Sequence, residues 1–410
     1  MKEESIRVTL FWVHHKLKGG AQMLPGDVNL PEVTFTPDDA VVNQLFNLLC
    51  IETDASFSKR FLQKTVRQLQ NHLNVKLQGQ LLCPDCANGI LIRKGWRKRH
   101  LKTSRGSFRL LVLQASCKTC GRTFRPLNDL IGLPFSRRFL DEFVEKGIRV
   151  AVDLSFAKAS RMIKTLTGCQ ISAETIRQKI HAKAADLEFS KDVFDKTVLV
   201  DSTKVKSGKK KRGSPVHLAI TVRKGANLAG RPSIQKRLLH LHVGNSRKLR
   251  KRLKTIGVEN LVHDGFEDLA GCATNVQRCR WHLVHQLKYY LRQDGVPFGS
   301  RPFYQNSLKR ILWDSKNGPE KLNSYVKDLK NNGLKQSAKH LSNAQHEAFT
   351  WVNHLGFSFT TTSPLKREMR ELNRRADMGV RWSDKGIESV LKVLFHYRLN
   401  EQSVNPKEKT

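Results

Sequence analysis

The sequence is short of acid. Only 36 Asp and Glu stand against 73 Lys and Arg over 410 residues, a formal charge of +37. A surface so one-sided repels itself, so a standing polyanionic partner is the natural counterpart. Also missing is any unbroken apolar run of eighteen or more residues, which leaves no candidate for a membrane-spanning helix. The opening Met1-Lys2-Glu3-Glu4 lacks the apolar core of a secretory signal. No internal repeat is found, and only Lys204–Arg212 approaches low complexity. These absences point to a cytoplasmic protein associated with the nucleoid, with no membrane partner.

What is abundant is positive charge spread through segments that read as folded. A detachable basic arm fits this distribution less well than a whole body built to lie on nucleic acid, where each phosphate contact releases condensed counterions. Double-stranded DNA is the expected partner.

The eight cysteines are few but patterned. Cys83-Pro84-Asp85-Cys86 and Cys117-Lys118-Thr119-Cys120 form two Cys-x-x-Cys knuckles about thirty residues apart. In a reducing compartment such pairs hold metal more often than they form disulfides. Zinc takes four soft ligands in a tetrahedron, so Cys83, Cys86, Cys117 and Cys120 are the expected ligands of a structural zinc ion in a β-rich ribbon. Four thiolates close the site and leave no open position for chemistry. Arg93, Lys94, Arg97, Lys98 and Arg99 lie between the knuckles and are candidate DNA contacts.

Helical periodicity follows over Leu140–Val150, Ser155–Thr167 and Ser172–Asp186. The break at Gly168-Cys169-Gln170 gives the last two the spacing of a helix-turn-helix, whose second helix would present Glu174, Thr175, Arg177 and Gln178 to a major groove. A plain helical hairpin has the same pattern. Upstream, Ile6–Val13 reads as a strand, and Asp39–Leu49 and Phe57–Leu73 read as helices.

From Thr197 the chain turns β-rich, with strands expected at Thr197–Asp201, Val216–Val222, Leu238–Val243 and Leu261–Asp264. Asp201 and Asp264 each end an apolar run. A carboxylate at the end of a buried strand is held rigidly, and two on adjacent strands can share hard cations, which require oxygen ligands. A later third acid would complete a site for two metal ions. Each Asp taken singly fits a turn or cap equally well. Lys209, Lys210, Lys211 and Arg212 suit a basic hairpin tip, and Arg250 and Arg252 lie in a basic helix over Ser246–Ile256. These six are candidate phosphate contacts.

The order Asp201, Asp264, then Gln277-Arg278-Cys279-Arg280-Trp281-His282, a polar helical stretch, and Thr361-Thr362-Ser363-Pro364 with Arg374-Arg375 resembles the Mutator-like clade of DDE transposases over residues 197–400. The resemblance implies a multidomain α+β chain. Residues 1–78 have no assigned role, 79–130 form the zinc ribbon and 131–190 the helix-turn-helix region. Residues 191–400 form an RNase H-like α/β catalytic core with a helical insertion at about 300–355, and 401–410 form a tail. It implies catalysis by Asp201, Asp264 and a glutamate with two Mg²⁺ or Mn²⁺ ions, on insertion-sequence ends held by a homo-oligomer. In this clade the glutamate follows the Thr-Ser segment almost at once, and here that slot holds Lys366. Glu368 is the expected substitute, with Glu371 in reserve. If neither reaches the metals, the copy is inactive. Cys279 and His282, one helical turn apart, are expected to buttress the acidic site. Two rivals share these features: an RNase H-like nuclease without strand transfer, and a zinc-ribbon DNA-binding regulator with inert acids.

Overall fold

The computed structural model describes residues 6–9, 32–35, 82–104, 106–125, 138–207, 213–226, 232–266, 269–354 and 356–400. The helices expected at 39–49 and 57–73, the tail 401–410 and the basic tip Lys209–Arg212 lie outside the described residues. The chain divides into two compact units: Met1–Gly147 with Ala159–Ser172, and Ile148–Lys158 with Ala173–Thr410.

In the first unit, β1 (Ile6–Thr9) pairs antiparallel with β2 (Glu32–Phe35); the rest of the strand expected over Ile6–Val13 lies outside the described residues. A long hairpin follows, β3 (Leu91–Thr103) with β4 (Gly106–Cys117), and β5 (Thr123–Phe124) extends the sheet beyond β4. The core beneath it is small: Cys83, Leu91, Leu113, Ala115 and Cys117, with Cys86 and Phe124 at its margin. Small cores of this kind need a staple. Residues 141–147 open helix α1 (Asp141–Asp153), and residues 159–167 complete α2 (Phe156–Thr167), burying Ala159 and Ile163. The Ser160 hydroxyl donates to the Ile171 carbonyl at 2.5 Å, tying the segment after α2 back to it.

The second unit is built on a mixed five-stranded sheet ordered β10-β9-β6-β7-β8. Strands β6 (Thr197–Val205), β7 (Ser214–Ala226) and β8 (Pro232–Val243) form an antiparallel meander. Strands β9 (Asn260–His263) and β10 (Asn275–Arg278) return parallel to β6 on its other side. Every residue of β9 is buried, as are the first five of β6, which explains their unbroken apolar runs. Helix α4 (Arg247–Ile256) makes the crossover from β8 to β9. It turns Leu249 and Leu253 onto a core with Val198, Val200, Ala219, Leu239 and Leu261.

A second core is entirely helical. Leu283, Leu287 and Leu291 of α5 (Arg280–Gln293) meet Leu308 and Leu312 of α6 (Arg301–Trp313). Leu322, Val326 and Leu329 of α7 (Gly318–Asn331) and Leu341 of α8 (Lys335–Ser342) join them. Short helices α9 (Gln345–Ala348) and α10 (Thr350–Asn353) lead back to the sheet. The unit closes with α11 (Lys366–Ala376) and α12 (Asp384–Leu399); α12 packs on β8 and on α3 (Ala173–Asp186). The fully buried Arg375 donates to the carbonyls of Ala151, Val152 and Leu154, which α1 leaves unpaired at its end. The whole is a mixed α+β chain. Among the described residues no helix is long and apolar enough to cross a membrane.

Candidate functional site

The first site is local in sequence. The sulfurs of Cys83 and Cys120 lie 3.7 Å apart, those of Cys86 and Cys117 3.6 Å, and all four fall within 4.8 Å of one another. A tetrahedron of thiolates around zinc has edges of about 3.8 Å, so the four cysteines are close enough together to bind zinc. The knuckle geometry is set by backbone. The amides of Thr119 and Cys120 point at the Cys117 sulfur at 3.3 and 3.4 Å. The Cys120 amide chiefly, against the opposing effect of burial, holds the Cys117 thiol down at about 6, which favours the ligating thiolate. A Cβ at Gly89 would lie 2.1 Å from the Cys117 sulfur and 3.0 Å from that of Cys86, so only glycine leaves room for the cluster.

Asp201 and Asp264, 8% and 5% exposed, come together across β6 and β9. Parallel pairing sets Val200 beside His263, so the next residue of each chain segment brings its carboxylate to the place where the β6–β9 pairing stops; β6 itself does not end at Asp201, where its end was expected, but runs on to Val205 against β7. The Ser202 amide donates to both, at 3.0 Å to Asp201 Oδ1 and 3.1 Å to Asp264 Oδ2. Burial, then the charge of Asp264 and a hydrogen bond to it, push the Asp201 carboxyl up to about 9. Without a cation the pair therefore keeps a proton at neutral pH, as close like charges must. Two buried oxygen donors that cannot both ionise unaided suit a divalent cation.

The surroundings fix this pair. The Phe266 amide donates to Asp264 Oδ1 at 3.0 Å, and the Gln286 side chain reaches the Asp264 carbonyl at 3.3 Å. On either side of Asp264 stand His263 and Gly265. His263 Nε2 meets the buried Glu347 carboxylate at 3.0 Å, and Arg278 Nε lies 3.4 Å from the same oxygen. Gly265 has φ +84°, and a Cβ there would sit 1.5 Å from an Arg278 guanidinium nitrogen. One buried charge cluster thus grips both neighbours of Asp264. Ser202 is held from its side chain as well. His217 Nε2 is 3.0 Å from the Gly244 carbonyl, which it can only donate to, so its Nδ1 accepts from the Ser202 hydroxyl at 3.0 Å. His240 Nε2 and His242 Nδ1 share a hydrogen bond at 3.0 Å, and burial chiefly lowers the His240 pKa to about 3.

Cys279 precedes α5, and it and His282 both meet Thr362. The Thr362 amide points at the buried Cys279 sulfur at 3.2 Å, and its hydroxyl lies 3.2 Å from His282 Nδ1. Burial pushes the Cys279 thiol up and the His282 imidazole down, the latter against the charge of Asp264.

Glu368 does not join the carboxylate pair. Its buried side chain bonds Lys236 of β8 at 2.8 Å and Arg398 of α12 at 3.1 Å. Among the described residues only the cysteine cluster gathers three or more ligand side chains within 4.8 Å. Residues two apart on a helix point to nearly opposite sides. Lys366, two residues earlier, is the one turned toward Trp281, its ammonium 4.7 Å from that ring, and its charge lowers the His282 pKa. Glu371 is taken by Arg374 at 2.8 Å.

The expected DNA contacts divide. Arg93, Lys94, Arg97 and Lys98 are exposed along β3, but Arg99 is buried. Arg250 is exposed on α4, together with Arg247, Lys248, Lys251 and Lys254. Arg252 is not available as a phosphate contact: its guanidinium donates to the carbonyls of Phe189, Ser190 and Leu239. Arg177 and Gln178 are exposed yet tied to Glu174, at 2.6 and 3.0 Å. Sequence reasoning did not find Ser202, Glu347 or Gln286, because their roles arise from side chains that meet only in the fold.

No family model matches this chain, and no curated protein matches it.

Proposed function

We propose that the chain is a metal-dependent DNA transposase of RNase H-like kind. It would grip insertion-sequence ends through the cysteine ribbon, the helix-turn-helix segment and exposed basic side chains, and cleave and join strands at Asp201 and Asp264. The observation that carries this reading is the single Ser202 amide shared by two buried carboxylates, one within β6 and one directly after the parallel strand β9. The strand order supports it, with Asp201 on the first strand of the sheet and Asp264 directly after the fourth. So does the net charge of +37.

A bound divalent cation polarises a phosphate oxygen and lowers the pKa of a bound water. Asp201 and Asp264 would hold that cation, with Ser202 and Phe266 orienting their oxygens and the Glu347 cluster keeping Asp264 from moving. The exposed lysines and arginines of α4 and β3 take backbone phosphates and so place the duplex without reading it. A homo-oligomer would hold two element ends together.

The test is Mg²⁺- or Mn²⁺-dependent cleavage and strand transfer of a pre-cut end. Asp201→Asn and Asp264→Asn should abolish both while leaving DNA binding unchanged. Cleavage without transfer would mark a nuclease. A second reading is favoured by the engagement of Glu368 with Lys236 and Arg398 and by Lys366 beside His282: a DNA-binding protein whose acids are inert. It predicts no metal-dependent product from the wild-type chain and tight, salt-sensitive DNA binding.

A further inference from the structure

Helix α5 has three faces. At 3.6 residues per turn, Leu283, Leu287 and Leu291 fill the buried one. His282 and Gln286 lie on the next, turned toward Asp264, whose charge His282 feels and whose carbonyl Gln286 reaches. Trp281, His285 and Tyr289, four residues apart, form the third. Trp281 and His285 stack with centroids 4.6 Å apart, and Tyr289 stands edge-on to His285 at 6.1 Å. This row meets solvent, with Trp281 39% and Tyr289 53% exposed. Lysines ride on both ends: Lys366 lies 4.7 Å from the Trp281 ring and Lys288 4.9 Å from that of Tyr289.

Exposed aromatics on a protein this cationic need an occupant that is both flat and anionic. Duplex DNA hides its base faces, whereas an unpaired strand offers them together with its phosphates. The row spans nine residues, about 12 Å along the helix axis, enough for a few nucleotides. It runs beside the face of α5 whose Gln286 reaches Asp264.

We propose that the Trp281–His285–Tyr289 row is a stacking track for unpaired nucleotides of the DNA strand whose phosphate is presented to Asp201 and Asp264. Lys366 and Lys288 move from ring to phosphate when the strand arrives. The assignment of that strand to the carboxylates rests on the function proposed above; the stacking does not.

The test is therefore run on the full chain without added Mg²⁺ or Mn²⁺, by fluorescence anisotropy with an oligothymidylate single strand and with a duplex of equal length. Trp281→Ala and Tyr289→Ala should each weaken single-strand binding about ten-fold, leave duplex binding within about two-fold, and add their effects. Trp281→Phe should restore most of the loss. Unchanged thermal midpoints show that the variants fold, and Tyr289, being more than half exposed, gives a readout free of packing damage. Equal losses on both DNAs, or none on the single strand, overturn the proposal. A change in self-association with single-strand binding intact marks the row as a contact between copies and also overturns it. Failure of metal-dependent cleavage is a separate result and leaves this measurement unaffected.

Discussion

The cysteine cluster and the carboxylate pair are two ways of gathering like side chains, and they differ in how much of the chain each needs. The cysteines come as two short knuckles joined by one hairpin, and their backbone amides already point at the sulfurs. The carboxylates stand 63 positions apart and meet only when β9 returns beside β6. Behind them lies a buried clamp drawn from β9, β10 and α9. A local site can be complete in itself. A site assembled from distant strands inherits every decision of the fold, including the rotation of α11 that turns Lys366 toward α5 and gives Glu368 to other partners.

The contrast can be broken most sharply at the knuckles. Removing zinc, or Cys86→Ser, should unfold the β3–β5 region at a cost of several kcal/mol. Metal analysis and limited proteolysis should show that region alone becoming cleavable, with the sheet of the second unit intact. Next in size is Glu347→Ala, which leaves the buried His263 and the half-buried Arg278 without their anion and should cost up to about 3 kcal/mol in urea unfolding. Glu347→Gln should cost less, and both should weaken Mn²⁺ binding.

A smaller change of opposite sign is expected at Asp201. Its carboxyl is protonated in the folded protein up to about 9, while the unfolded chain loses that proton near pH 4. Folding therefore takes up a proton between those values, and stability falls as pH rises through the window. Without added Mg²⁺ or Mn²⁺ at pH 7, Asp201→Asn should stabilise the fold by about 1–2 kcal/mol, and the gain should vanish toward pH 4. Saturating Mg²⁺ should reverse the ranking. The smallest effect belongs to Arg250→Ala. Stability should stay within about 0.5 kcal/mol, while the salt dependence of DNA binding should drop by about one phosphate contact.

Much of this frame was legible in the residues. The paired cysteines announce their own spacing, and Val198–Val200 and Leu261–His263 read as buried strands because they are apolar throughout. Strand β10 was not legible. It is a short edge strand of Asn275-Val276-Gln277-Arg278 with only Gln277 buried, so no periodicity betrays it. Glu347 looks like one more acid in a polar helical stretch until His263 and Arg278 close on it. Arg250 and Arg252 are indistinguishable in a basic run, and only the wheel of α4 separates the exposed one from the one that bonds three carbonyls. The partners of Glu368 were hidden for the same reason: Lys236 and Arg398 come to it only in the fold.

Arg375 has a consequence for the order in which the molecule is made. The carbonyls it satisfies belong to Ala151, Val152 and Leu154, synthesised more than two hundred residues earlier. Until the ribosome has released α11, the corner between α1 and α2 carries open hydrogen-bond acceptors and no guanidinium to fill them. The emerging chain can set its cysteine knuckles early, but its larger body can lock only after nearly all of it has left the exit tunnel.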